Sequence, residues 1–305
     1  MSQTPLPVHI PAFVKAHATG VDFLLHLDRD GTSELPAAQI SRLTDRSTGA
    51  GATGLIRAVP TALIDPQAAA GAEWFMDSRG PDATPLDVDG DDLRVFVAFL
   101  QHAGVLDLPD RAETAVATRS GVFTVRREGQ EYAVDMGPWT FPGGDDALAD
   151  GFDLSVIAEG LTEQRPGLRV NLRGEHVVVA LQDEETLAGL SMTGPAQVDP
   201  PLEGPAMLEF VLPLGEQEGA EPDAAGAPVR TGVIRMRARS GPAERRSSGT
   251  GACAAAVAVR EWFGDGAPQT WQVHTPGGRL RVRMTGGHTE LAGPAQLIGT
   301  FSVLS

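Results

Sequence analysis

Two segments of this chain are apolar on nearly every side of a helical wheel. Asp92 to Ala103 carries Leu93, Val95, Phe96, Val97, Phe99 and Leu100; Ala252 to Phe263 carries Ala254, Ala255, Ala256, Val257, Ala258 and Val259. A surface helix keeps one polar face, so this pattern predicts two helices buried all round. Each ends at a glycine, Gly104 or Gly264, suited to a left-handed C-terminal cap. Each is entered through a glycine turn, Asp89-Gly90-Asp91-Asp92 or Ser248-Gly249-Thr250-Gly251, and the turns start 159 residues apart in a chain of 305. Equivalent features half a chain apart predict a duplication. The expected fold is α/β in the α+β sense: two pseudo-symmetric domains, each a curved mixed sheet wrapped around one buried central helix.

Most of the remaining chain reads as short strands. Val8 to Val14, Val21 to Leu27, Gly121 to Arg127, Tyr132 to Met136, Val177 to Leu181, Met207 to Leu212 and Leu280 to Met284 are β-branched or alternating and are separated by turn residues. Gly232 to Arg239 alternates cleanly, with Arg235, Arg237 and Arg239 on one strand face. That face reads as a solvated or ion-paired edge. Ala37 to Arg46 and Asp183 to Met192 fit as amphipathic outer helices. The domain change falls after Leu106, in the turn at Asp107 to Asp110 and the strand that follows, which gives residues 1–118 plus 292–305 as one domain and 119–291 as the other. Gly215 to Ala227, rich in Glu, Ala, Gly and Pro, reads as a solvated loop.

Charge and cysteine content narrow the function. Forty acidic residues against 24 Lys and Arg leave a net charge of −16, which repels phosphate backbones and anionic lipid and argues against nucleic-acid or membrane partners. One cysteine, Cys253, excludes an intrachain disulfide framework and a multi-thiolate zinc site. No apolar run reaches the length of a membrane span and no secretion signal is visible, so the expected location is the cytoplasm. Free N–H groups and positive dipole ends at two helix starts would suit a small carboxylate ligand, which makes Gly90, Asp91, Gly249, Thr250 and Gly251 candidate binding residues.

The stretch Ser248-Gly-Thr-Gly-Ala-Cys-Ala-Ala-Ala256 resembles the signature of the diaminopimelate epimerase family. Phe13 to Phe23 resembles the family's opening strand motif, and Asp45-Arg46 with Gly49 to Gly54 resembles its second. Met136-Gly137, the Gly174-Glu-His176 turn, Leu208-Glu-Phe210 and Gly293-Pro-Ala295 follow in family order. The resemblance implies the two-domain fold, a homodimer, and stereoinversion at an amino-acid α-carbon without cofactor or metal. In that chemistry one cysteine thiolate removes the α-proton and a second thiol delivers a proton to the opposite face.

The sequence departs from the pattern where that chemistry would sit. Asp89 and Ser248 stand at the positions of the two cysteines. Cys253 lies five residues beyond Ser248, inside the helix, and reads as core. The asparagine positions of the family's substrate clamp carry Val21, Gly174 and Met207, with a fourth at or near Asp77; the chain's one asparagine, Asn171, is elsewhere. Glu244 matches one acidic position of the family, while Arg239-Ser240 replaces a Glu-Arg pair.

Three readings stay open. The scaffold has become a binding protein for a small molecule or a partner. Alternatively it is a cofactor-independent isomerase, similar to the phenazine-biosynthesis isomerases, in which Asp89 is the acid/base if burial raises its pKa, with His176 and Glu244 as further titratable candidates. By family label it would be a diaminopimelate epimerase. A calcium loop at Asp87, Asp89 and Asp91 fails on its spacing, because the glycine falls at position 90 and Ala98 stands where the closing Glu belongs.

Overall fold

The computed structural model describes residues 12–67, 71–222 and 228–302. It divides the chain into two compact units: residues 1–88, 92–130 and 295–305, and residues 89–91 and 131–294. The changeover after Gln130, later than the expected 118, follows from strand pairing. Glu113–Thr118 and Gly121–Glu128 form one antiparallel hairpin that a boundary at 118 would cut. The return at 294/295, rather than 291/292, keeps His288–Pro294 whole against its neighbour.

In the first unit β1 (Phe13–Ala18), β2 (Val21–Leu27), α1 (Ala37–Thr44), β3 (Gly54–Pro60), α2 (Thr61–Ile64), β4 (Trp74–Arg79), α3 (Asp91–His102), β5 (Glu113–Thr118) and β6 (Gly121–Glu128) follow in order. The second unit holds β7 (Glu131–Pro138), α4 (Gly144–Asp150), β8 (Leu154–Ala158), β9 (Arg165–Asn171), β10 (Glu175–Ala180), α5 (Glu184–Gly189) and β11 (Ala196–Asp199). It continues with β12 (Ala206–Pro222), β13 (Pro228–Ser240), β14 (Ala243–Arg245), α6 (Gly249–Phe263), β15 (Thr270–Thr275), β16 (Gly278–Thr285) and β17 (His288–Pro294). The chain then returns to the first unit with β18 (Gln296–Phe301), which pairs with β1.

The ladders carry the duplication. From β18 through β1, β2, β3, β4 and β5 to β6, successive pairs run antiparallel, antiparallel, parallel, antiparallel, parallel, antiparallel. From β8 through β9, β10, β12, β13 and β15 to β16 the same six relations recur in the same order. In both series the long central helix, α3 or α6, is the crossover of the last parallel pair, as parallel neighbours require.

Both helices are buried as their composition predicts. Every residue of α3 from Asp91 to Leu100, and of α6 from Gly249 to Val259, is buried. Around α6 lie β9, β10, β12, β13, β15, β16 and β17. The small side chains of Ala252 to Ala258 let strands approach on all sides, and the bulkier Arg260, Trp262 and Phe263 come only where the helix leaves the interior. A second apolar layer lies on the other face of β10 and β12, where Val177, Val179, Leu208 and Phe210 pack with Leu154, Val156, Leu187 and Leu190.

Gly215 to Ala227 departs from its expected loop. β12 continues to Pro222 and pairs with β13 through Glu216↔Gly232, Gln217↔Thr231 and Glu218↔Arg230, after a register shift between Pro213 and Gly215. Arg230 clasps Glu216 across this ladder, with Nε to Oε2 at 2.8 Å. Residues 223–227 lie outside the described residues, as do residues 8–11 of the first expected strand. Among the described residues no helix is long and apolar enough to cross a membrane.

Candidate functional site

The turn Asp89–Gly90–Asp91 precedes α3 but belongs to the second unit, where it lies against the start of α6. Ser248 caps α6: its backbone is extended and its Oγ accepts from Gly251 N at 3.0 Å. The Asp89 carboxylate closes the same helix end. Asp89 Oδ1 accepts from Thr250 N at 2.9 Å, Thr250 Oγ1 at 2.9 Å and Ser248 Oγ at 3.1 Å. Arg245 Nη2 stands 3.9 Å from Asp89 Oδ2. A carboxylate on the first-turn N–H groups is favoured by the helix dipole as well as by the hydrogen bonds.

Two glycines make the approach sterically feasible. A Cβ on Gly249 would lie 1.9 Å from the Asp89 carbonyl oxygen, so only glycine lets the turn rest on the helix start. Gly90 has φ +81°, and a Cβ there would lie 2.7 Å from Leu291 Cδ2. Asp91 and Asp92 are buried at the beginning of α3, whereas Asp87 is exposed.

Beneath the first turn of α6 lies a buried histidine–glutamate pair. His176 on β10 and Glu209 on β12 are 2 % and 0 % exposed, and His176 Nδ1 meets Glu209 Oε1 at 2.8 Å. That oxygen would be 2.8 Å from a Cβ on Gly251, which places the pair directly against the helix. Burial works to lower the His176 pKa. The Glu209 charge and hydrogen bond, then the Asp89 charge and a backbone hydrogen bond at Leu172, outweigh it and hold the imidazole above its ordinary value. Glu209 Oε2 is buried without a hydrogen-bond partner among the described residues. Glu209 lies in the Leu208-Glu-Phe210 segment and is not among the site residues expected from the sequence. The available signal was a carboxylate alternating with Leu208 and Phe210, which turns it to the face that Met207 shares.

Met207 brings its Sδ to 3.7 Å from Ser248 Oγ, an apolar side chain at the helix start. Glu244 is exposed on β14 and pairs with Arg237, Glu244 Oε1 to Arg237 Nε at 2.8 Å, so it is turned to the arginine face of β13. Cys253 is 0 % exposed in the second turn of α6. In the first unit Val21 is buried at the start of β2, and Asp77 on β4 takes Arg119 at 2.7 Å and Arg79 at 3.0 Å. Burial would raise the Asp77 pKa, but these two arginines hold it below the usual carboxylate value. Among the described residues no group of three His, Cys, Asp or Glu is arranged to hold a metal ion.

Chemically, this arrangement is a closed helix cap. Inversion of a carbon needs an acid and a base on opposite faces of it. Asp89 and Ser248 are hydrogen-bonded to each other, which leaves no space for a carbon between them.

No protein-family model matches the chain. It is 34% identical to the diaminopimelate epimerase of Streptomyces coelicolor over 304 residues, covering 94% of this chain and 93% of that protein. It is 32% identical to that of Thermobifida fusca, covering 94% and 95%. The chain belongs to the diaminopimelate epimerase family. Solved structures agree on the fold. A phenazine-biosynthesis protein of Bacillus anthracis superposes with a TM-score of 0.61 at 14% identity, covering 97% of this chain and 99% of that one. A hydroxyproline epimerase of Agrobacterium vitis with bound trans-4-hydroxy-L-proline gives 0.59 at 14%, covering 95% and 91%.

Proposed function

We propose that this member of the diaminopimelate epimerase family does not epimerise diaminopimelate and works instead as a binding protein for a small molecule or a partner. The observation that carries this reading is the Asp89 carboxylate on the N-terminus of α6, in contact with Ser248 and Thr250. In this reading Asp89 and Ser248 occupy the positions of the family's two cysteines. The chain's one thiol, Cys253, is buried in the helix, and one sulfur cannot serve both faces of a carbon. The N–H groups that would greet a substrate carboxylate at this turn already serve Asp89 and Ser248. A small carboxylate bound at Gly249, Thr250 and Gly251 therefore competes with Asp89.

One observation favours a second reading, a cofactor-independent isomerase with Asp89 as acid/base. The His176–Glu209 pair lies against the same first turn of α6 that Asp89 closes, so titratable groups gather at one point. Chiral chromatography of diaminopimelate incubated with the protein tests the first reading, with the Streptomyces relative as the active control. An unchanged stereoisomer ratio is expected; interconversion would refute it. Turnover of another amino, hydroxy or dienoic acid that Asp89→Asn abolishes would instead establish the isomerase. The family resemblance also implies a homodimer, which sedimentation equilibrium tests directly.

A further inference from the structure

The arginine face of β13 is paired unevenly. Arg235 contacts Glu184, and Arg237 binds Glu244 at 2.8 Å. Arg239 is 5 % exposed and meets no carboxylate among the described residues. Its Nε donates to the Gly241 carbonyl at 2.8 Å and its Nη1 to that of Ser191 at 3.5 Å, which leaves Nη2 without an acceptor among the described residues. Glu244 sits directly across the ladder from Arg239 yet is turned to Arg237. The equally buried Arg57 shows the usual solution, with Asp28 at 2.7 Å. A guanidinium this deeply enclosed, with two of its nitrogens on neutral carbonyls and no carboxylate beside it among the described residues, has no counter-charge there. That is notable in a chain with 40 acidic residues to supply a partner.

Arg239 lines a groove of about 490 Å³ in the second unit. The walls are apolar: Ala196 and Val198 of β11, Leu202, and Ala206 and Leu208 of β12. The volume falls within the range of small-ligand sites, and apolar walls with one convergent charged group are their usual make-up. Alternation along β12 turns Ala206 and Leu208 away from Met207 and Glu209, so the groove shares no residue with the start of α6.

We propose that this groove binds a small monocarboxylic acid with an apolar aliphatic or aromatic body, its carboxylate on Arg239 and its body against Leu202, Ala206 and Leu208. A guanidinium suits a carboxylate better than an alcohol or an amide, because it offers a charge and parallel donors. The proposal is independent of the Asp89 reading, and either can fail alone.

Isothermal titration with hexanoate and phenylacetate, against hexanol and 2-phenylethanol, in a carboxylate-free buffer, tests it. Both acids should bind saturably and at least about tenfold more tightly than the alcohols. Arg239→Met should weaken the acids tenfold or more. Ala206→Trp, which fills the groove and leaves Arg239 in place, should abolish binding and decides alone should Arg239→Met not fold. No saturable binding of either acid to the native protein, equal binding of the alcohols, or binding that survives Ala206→Trp would each overturn the proposal.

Discussion

Asp89 does at the start of α6 what a bound anion would do. Its Oδ1 takes the Thr250 N–H and two hydroxyls, and the helix dipole adds to that. Removing the side chain in Asp89→Ala should cost about 1–2 kcal/mol in urea unfolding, the usual range for a lost helix cap with a dipole contribution. The vacated N–H groups should then accept a small anion. Formate at constant ionic strength should raise the melting temperature of Asp89→Ala and leave that of the native protein unchanged. Gly249→Ala reverses an ordinary rule: alanine normally stabilises a helix relative to glycine. Here its Cβ would overlap the Asp89 carbonyl oxygen, so destabilisation of about 1–3 kcal/mol is expected from the same denaturation measurement. The turn residues were legible in the sequence because glycine turns and a capping serine are local signals. Glu209 was not, because its burial beside His176 depends on β10 and β12 pairing in parallel across 33 residues of chain. The direction of Glu244 toward Arg237 was equally hidden, since it is set by the ladder between β13 and β14.

Among the elements, α6 encloses the chain's one cysteine. Cys253 lies in the second turn, with every residue from Gly249 to Val259 buried and strands on all sides. Native protein should therefore fail to react with a disulfide reagent such as dithionitrobenzoate on the timescale of minutes, and one thiol should appear on denaturation. Rapid labelling of the native protein would contradict the packing described for α6. This helix and α3 were the clearest elements in the sequence because an apolar surface all round has one physical solution, enclosure. The arm formed by β12 and β13 looks like a loop in the sequence for a physical reason too. Its Glu, Gly and Ala residues carry little strand propensity, and the pairing is held by the ladder and by Arg230 on Glu216. Strands such as β9, with Arg165, Pro166 and Gly167 at its start, are likewise defined by their neighbours more than by their own residues.

Over the whole molecule, two buried histidines pull stability in opposite directions with pH. His26 in the first unit is buried with both ring nitrogens unpartnered among the described residues. Burial pushes its pKa down, from 6.5 to about 4, against the pull of nearby Asp28. Protons then bind the unfolded chain more readily, so its contribution is present above about 6.5 and falls away as pH drops to 4, by about 3 kcal/mol in all. His176 has the opposite sign. Its raised pKa stabilises the fold below 6.5, and that contribution is lost as pH rises through the folded value. Melting curves across pH should show both limbs: His176→Gln flattens the alkaline one and His26→Leu the acid one. The duplication itself was legible from two helices and their spacing, whereas the identical order of parallel and antiparallel pairs in both units emerges only from the ladders.

On the reading proposed above, a family scaffold persists here without the family's proton transfer. Incubation of diaminopimelate with the protein in deuterium oxide, followed by proton NMR of the α-position, tests it most directly. No loss of the α-proton signal is expected under conditions in which the Streptomyces relative exchanges it fully. Deuterium at that carbon would contradict it and would mean that Asp89 and Ser248 separate to admit a substrate and carry protons where two thiols are expected.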